Sequence, residues 1–107
     1  MALAEKRCVP CSGGVPPLQE NEYQPLLNQL TGWQVIKGHH LEKKYTFPDF
    51  KRALLFVNQI GAIAEQENHH PEIQCGWGHV TVQIWTHKID GLTESDFILA
   101  AKCDEGV

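Results

Sequence analysis

A chain of 107 residues, 42% of them hydrophobic and 21% charged, suits one globular domain with a single modest core and leaves little room for a second. A net charge of -4 and the absence of any Lys/Arg run exclude a nucleic-acid surface built on phosphate contacts, and no run of 18 apolar residues offers a membrane span. The opening MALAEKRCVPCSGGVPPL has basic residues but no apolar segment behind them, so the expectation is a soluble cytoplasmic protein with Cys8, Cys11, Cys75 and Cys103 as reduced thiols.

In chain order, residues 1–17 read as a flexible Gly/Pro-rich leader and residues 18–107 as the single folded domain. The Cys8-Val-Pro-Cys11 spacing suits half of a zinc site or a redox pair, but no second C-x-x-C or H-x3-H follows and no βαβ unit surrounds it. Over residues 21–31, Tyr23, Leu26, Leu27 and Leu30 keep helical spacing and Gly32 is a stop. Pro25 lacks an N–H, which is harmless only within the first turn, so the helix should begin near Asn21 or Glu22.

WQVI and HLEKKYTF flank Lys37-Gly38-His39, and the alternation of Leu41, Lys43, Tyr45 and Phe47 predicts a β-hairpin. From 48 to about 67, Phe50, Ala53, Leu54, Val57, Ile60 and Ala64 mark one face of the strongest helix, with Pro48 suited to its first position. IQCGW and VTVQIWTH follow as strands joined at Gly78-His79, with Val80, Val82 and Ile84 on one face and Thr81, Gln83, Trp85 and His87 on the other. A last helix starts in ESDFILAAKC, where Thr93 and Asp96 form a capping box and Phe97, Ala100 and Ala101 an apolar stripe. The order α-β-β-α-β-β-α predicts an α+β domain in which helices cover one face of a four-stranded antiparallel sheet.

Two adjacent histidines, His69 and His70, stand where Pro71 stops the central helix, and His87 stands at the end of the last strand. Three imidazoles can therefore meet at one end of the sheet. An unperturbed imidazole has a pKa of roughly 6.5, so such a cluster both gives and takes protons at neutral pH. The alternatives are a set of helix-capping or solvated histidines, or a zinc site using His69 or His70 with His87 and Cys75 or His79. Sequence neighbours seldom point at one ion, however, and the i, i+4 spacing of helical zinc ligands is absent.

Glu65, His69-His70-Pro71, Trp77, His87 and Asp96, at these separations, form a pattern that resembles the pterin-4a-carbinolamine dehydratase family. AEQENHHPEI, VTVQIWTH and DGLTESDF extend the likeness over residues 18–104, and the CVPC-Ser-Gly-Gly leader is similar to that of many microbial and plant members. The resemblance implies dehydration of a 4a-hydroxytetrahydropterin to quinonoid dihydropterin and water, which recycles the cofactor of aromatic amino acid hydroxylases. It implies no metal and no organic cofactor.

The resemblance also carries roles. His69, His70 and His87 match the active-site histidines, with proton transfer assigned chiefly to His69 and His87 and ring positioning to His70. Glu65, Asn68, Pro71, Trp85, Thr86, Lys88 and Asp96 match substrate-side positions. Glu65 can orient an imidazole, Asp96 can equally be a helix cap, and Trp77 is expected to pack. Asn68 departs from the acidic residue frequent in animal enzymes; an amide still hydrogen-bonds a pterin but brings no charge. Animal members also act as dimerisation cofactors of a homeodomain transcription factor and related microbial proteins as assembly factors, so a binding-only function is the alternative. A homodimer or homotetramer is expected, since a small antiparallel sheet has an edge to protect.

Overall fold

The structure, a computed structural model, describes residues 2–9 and 13–106. The zinc and redox readings of the Cys8-Val-Pro-Cys11 stretch rest on Cys11, which lies outside the described residues. The folded order is helix α1 (Glu20–Leu27), strands β1 (Gln34–Ile36) and β2 (His40–Thr46), helix α2 (Phe50–Glu67), strands β3 (Glu72–Gly76) and β4 (His79–Ile84), and helix α3 (Glu94–Glu105). Short 3-10 helices occupy Leu3–Glu5 and His87–Ile89. All strand pairs are antiparallel in the order β1-β2-β4-β3, giving the expected α+β architecture.

The alternation of apolar residues along β2 and β4 builds the sheet's inner face. Leu41, Tyr45, Val80, Val82 and Ile84 are buried beneath α2 and α3. Gln83 and Glu42, directly opposite one another, point to the other face, where Gln83 Nε2 donates to Glu42 Oε1 at 2.6 Å. Helix α3 fills the centre. It packs on α1, α2, the sheet and the Leu3–Glu5 turn, so Phe97, Ile98, Leu99, Ala100 and Cys103 are all buried, a wider contact than the Phe97, Ala100 and Ala101 stripe. Burying a side chain the size of Phe97 contributes on the order of 1.5–3 kcal/mol.

Several boundaries differ from the sequence reading. Helix α1 starts at Glu20, one residue early, and Pro25 lies beyond the first turn. The lost bond to the Asn21 carbonyl is tolerated because both residues are exposed and water can replace it. The helix then ends at Leu27, and Gln29 and Leu30 N–H groups close tighter turns on the Leu26 and Leu27 carbonyls at 3.0 Å. Pro48 is not the first residue of α2: Asp49 caps the helix, its Oδ1 accepting from Arg52 N at 2.8 Å.

The inner face of α2 is Ala53, Phe56, Ile60, Ala64 and Glu67, while Phe50 and Leu54 turn outward, 45% and 44% exposed. Phe56 sets this rotation by packing its ring, tilted, 4.5 Å from Tyr45 and 5.3 Å from Phe47, centroid to centroid. The β3–β4 turn is Trp77-Gly78, since His79 already pairs with Gly76, and it leaves Trp77 72% exposed rather than packed.

The largest difference positions the site. Strand β4 ends at Ile84, and Trp85–Gly91 form a loop closed by a bridge between Thr86 and Gly91, with Thr86 N donating to Gly91 O at 2.8 Å. Gly91 is required there because a Cβ would come within 2.5 Å of Pro17. His87 therefore begins a 3-10 turn and does not end a strand.

Candidate active site

Helix α2 delivers the histidine pair. Asn68 caps it in the left-handed conformation at φ 53°, and His69 N–H returns to the Ala64 carbonyl at 3.1 Å. Pro71 then turns the chain into β3. The Trp85–Gly91 loop after β4 arrives beside this corner, because β3 and β4 are paired with Glu72 opposite Gln83. The result is a cleft of about 390 Å³ lined by Asn68, His69, His70, Pro71, Glu72, Trp85, Thr86, His87 and Lys88. That volume lies within the range of small-molecule pockets.

The three imidazoles are held differently. His69 is mostly buried, its side chain 14% exposed, and its Nε2 lies 2.6 Å from Oδ1 of a fully buried Asp96. Asp96 Oδ2 accepts from Thr86 Oγ1 at 2.9 Å and from Thr93 N at 2.8 Å. Because the single Thr86 hydroxyl proton goes to Asp96, Thr93 Oγ1 is the donor in its 2.9 Å contact with Thr86 Oγ1. One carboxylate thus ties the start of α3 to the loop and to His69. A buried carboxylate needs such a set of donors, and a hydrogen bond to a charged group contributes about 1.5–3 kcal/mol.

His70 points outward, and its Nε2 pairs with Glu65 Oε2 one turn back on α2; both side chains are exposed, so the pair contributes about 0–1 kcal/mol. His87 lies flat on Trp85, ring centroids 4.3 Å apart and 18° between planes. Among the described residues its ring nitrogens make no hydrogen bond, which leaves both for a ligand.

Of the residues singled out from the sequence, Asn68, His69, His70, Pro71, Trp85, Thr86, His87 and Lys88 come together in the cleft. Two do not line it: Asp96 is sealed behind His69, where it also completes the capping box of α3, and Glu65 reaches the cleft only through His70. The zinc alternative is not assembled. His79 and Cys75 sit toward the β3–β4 turn, at the far end of the hairpin from His69 and His87, and no group of three or more His, Cys, Asp or Glu among the described residues converges on one point.

Glu72, His39 and His40 were not anticipated. His39 Nε2 lies 2.6 Å from Asp90 Oδ1, the two Nδ1 atoms of His39 and His40 are 3.0 Å apart, and both rings stand against Trp85 with centroids at 5.2 and 5.8 Å. The antiparallel register, which sets Leu41 opposite Ile84, is what places His40 next to Trp85. Burial, reinforced by His39 and Lys37, holds His40 below the ordinary imidazole pKa.

Fold and cleft together define a small α+β protein with a carboxylate-anchored imidazole site at one end of its sheet. The family model described as pterin 4 alpha carbinolamine dehydratase matches residues 16–106, and the chain belongs to that family. A protein of Rubrobacter xylanophilus provisionally named pterin-4-alpha-carbinolamine dehydratase is 57% identical over 102 residues, covering 95% of each chain. One of Rickettsia bellii with the same provisional name is 58% identical over 104 residues, 96% of this chain and 92% of that one. Among solved structures, a transcriptional coactivator/pterin dehydratase from Brucella melitensis superposes with a TM-score of 0.79 at 34% identity, over 84% of this chain and 97% of that one. A pterin dehydratase-like protein described as a RuBisCO assembly factor of the alpha-carboxysome shares the fold, with a TM-score of 0.58 at 23% identity over 69% and 84% of the two chains.

Proposed function

We propose that this chain dehydrates a 4a-hydroxytetrahydropterin, releasing quinonoid dihydropterin and water and so recycling the cofactor of aromatic amino acid hydroxylases. The observation that carries the proposal is the His69–Asp96 pair, whose imidazole faces a cleft shared with His70 and His87. In the reaction the C4a–O bond breaks as the departing hydroxyl takes up a proton, and N5 gives up its proton as the C4a=N5 double bond forms. No electron is gained or lost, so the step calls for proton donors and acceptors and for no redox partner.

His69 and His87 exchange these protons. With His69 Nε2 engaged by Asp96, its Nδ1 is the atom left for substrate; His87 brings a ring with both nitrogens uncommitted. His70, braced by Glu65, positions the pterin. Asn68, Pro71, Trp85, Thr86 and Lys88 line the cleft against it, the Asn68 amide and the Lys88 ammonium supplying polar contacts to its ring. Asp96 acts through His69 and does not touch the substrate. No metal or organic cofactor enters the step.

The protein works in the cytoplasm as a homodimer or homotetramer. In support of self-association, β3 is an edge strand, and the outer face of α2 exposes Phe50, Leu54 and Leu55. No helix among the described residues is long and apolar enough to cross a membrane. A binding-only role is the second reading, because the fold is shared with proteins described as a coactivator and as an assembly factor. The complete histidine cleft favours catalysis. Stopped-flow absorbance with chemically generated 4a-hydroxytetrahydropterin tests the proposal: the wild-type chain accelerates loss of water over buffer, and equal rates with and without protein would refute it.

A further inference from the structure

Residues 2–9 do not line the cleft, yet they bond to two residues that flank its central pair. Glu67 ends α2, two positions before His69, and its side chain is only 4% exposed. Cys8 N donates to Glu67 Oε1 at 2.8 Å, Arg7 Nε stands 3.1 Å from Oε2, and Lys102 Nζ of α3 stands 3.9 Å from it. Ser95 precedes Asp96 in the first turn of α3. Val9 N donates to Ser95 Oγ at 2.9 Å, Ser95 Oγ donates back to the Val9 carbonyl at 3.2 Å, and Cys8 Sγ donates to the Ser95 carbonyl at 3.4 Å. Leu3, buried among core residues, and Lys102 Nζ, donating to Ala4 O at 2.8 Å, hold the segment's other end against the domain.

Cys8 and Val9 are consecutive, so one peptide unit joins the last residue of α2 to the first turn of α3. Those are the elements that carry His69 and Asp96. Each tied residue is within two positions of its member of the pair, and neither tie is made by the cleft itself. A buried carboxylate such as Glu67 is costly to leave without donors, which favours the docked segment over an undocked one.

We infer that Arg7–Val9 is a positioning strap: by joining Glu67 to Ser95 it holds the end of α2 and the start of α3 in the register that keeps His69 Nε2 at hydrogen-bonding distance from Asp96. Glu67 and Ser95 are then positioning residues, acting on the chemistry only through His69. The kinetic consequence rests on the dehydratase reading, whereas the geometric claim does not.

The experiment uses the whole 107-residue chain carrying Ser95→Ala, Glu67→Gln or both, with Lys6→Ala as the control, since Lys6 lies in the same segment but pairs with Glu94 at the surface. Two quantities are read in samples shown folded by thermal melting: the hydrogen-bonded imidazole N–H proton of His69 by NMR, and kcat and KM for 4a-hydroxytetrahydropterin. The strap predicts that the double variant broadens or loses the His69 resonance and loses about ten- to a hundredfold in kcat, with KM changed less than about twofold. Lys6→Ala keeps both. A folded double variant with an unaltered resonance and wild-type kcat would overturn the inference. If the double variant does not fold, Ser95→Ala, which removes a single hydroxyl, decides on the same two readouts. If the wild type proves inactive, the dehydratase reading fails and the resonance alone decides for or against the strap.

Discussion

Asp96 Oδ1 and His69 Nε2 lie 2.6 Å apart, although α3 and the end of α2 that carry them are separated by two strands and a loop. The carboxylate accepts, so the imidazole carries its proton on Nε2 and leaves Nδ1 as its acceptor atom. Replacing Asp96 by Asn keeps the size and can keep the acceptor for Thr93 N and Thr86 Oγ1, but it presents an amide donor to Nε2 and favours the opposite tautomer.

Asp96→Asn is therefore expected to lower kcat by about 10–100-fold, a fraction of what a general acid or base supplies, with little change in KM. Steady-state and single-turnover rates on the folded variant check this. An Asn variant with wild-type kcat would mean that the pair serves only the α3 cap.

Stability should fall on acidification in two windows. Burial, with His39 and Lys37, holds His40 below its ordinary 6.5, so between its folded value and 6.5 the unfolded chain binds more protons. The His40 contribution is complete above about 6.5 and is lost as pH falls through that window. Burial pushes the Glu67 carboxyl up, but the Cys8 N–H, Lys102 and Arg7 outweigh it and hold the group below its ordinary 4.5. Its contribution is present above about 4.5 and is lost as pH falls through the lower folded value. Urea midpoints measured from pH 7 to 3 should show both declines, with His40→Gln flattening the upper and Glu67→Gln the lower. Unchanged slopes in the variants would contradict the assignment.

The α-β-β-α-β-β-α order was legible because each element carries its own period. Rotation and contact were less so. The spacing of Phe50, Ala53, Leu54, Val57, Ile60 and Ala64 is compatible with helix, but which side of α2 is covered depends on Phe56 meeting Tyr45 and Phe47, contacts made across the fold. Trp85 to His87 alternate like strand, yet Thr86 bonds to Asp96 and Thr93 and the chain turns there. Likewise the histidine pair could be read as a site, but not that His69 faces inward to Asp96 while His70 faces outward to Glu65. His39 and His40 carried no signal without the β2–β4 register.

The most direct test of the central claim is stopped-flow dehydration of 4a-hydroxytetrahydropterin by the wild-type chain beside His69→Ala and His87→Ala, all shown to fold. The wild type is expected to accelerate loss of water, and each variant to lose about 10²–10⁴-fold of that acceleration, the range of a positioned acid or base. Wild-type rates in both variants, or no acceleration by the wild type while a pterin still binds, would contradict it.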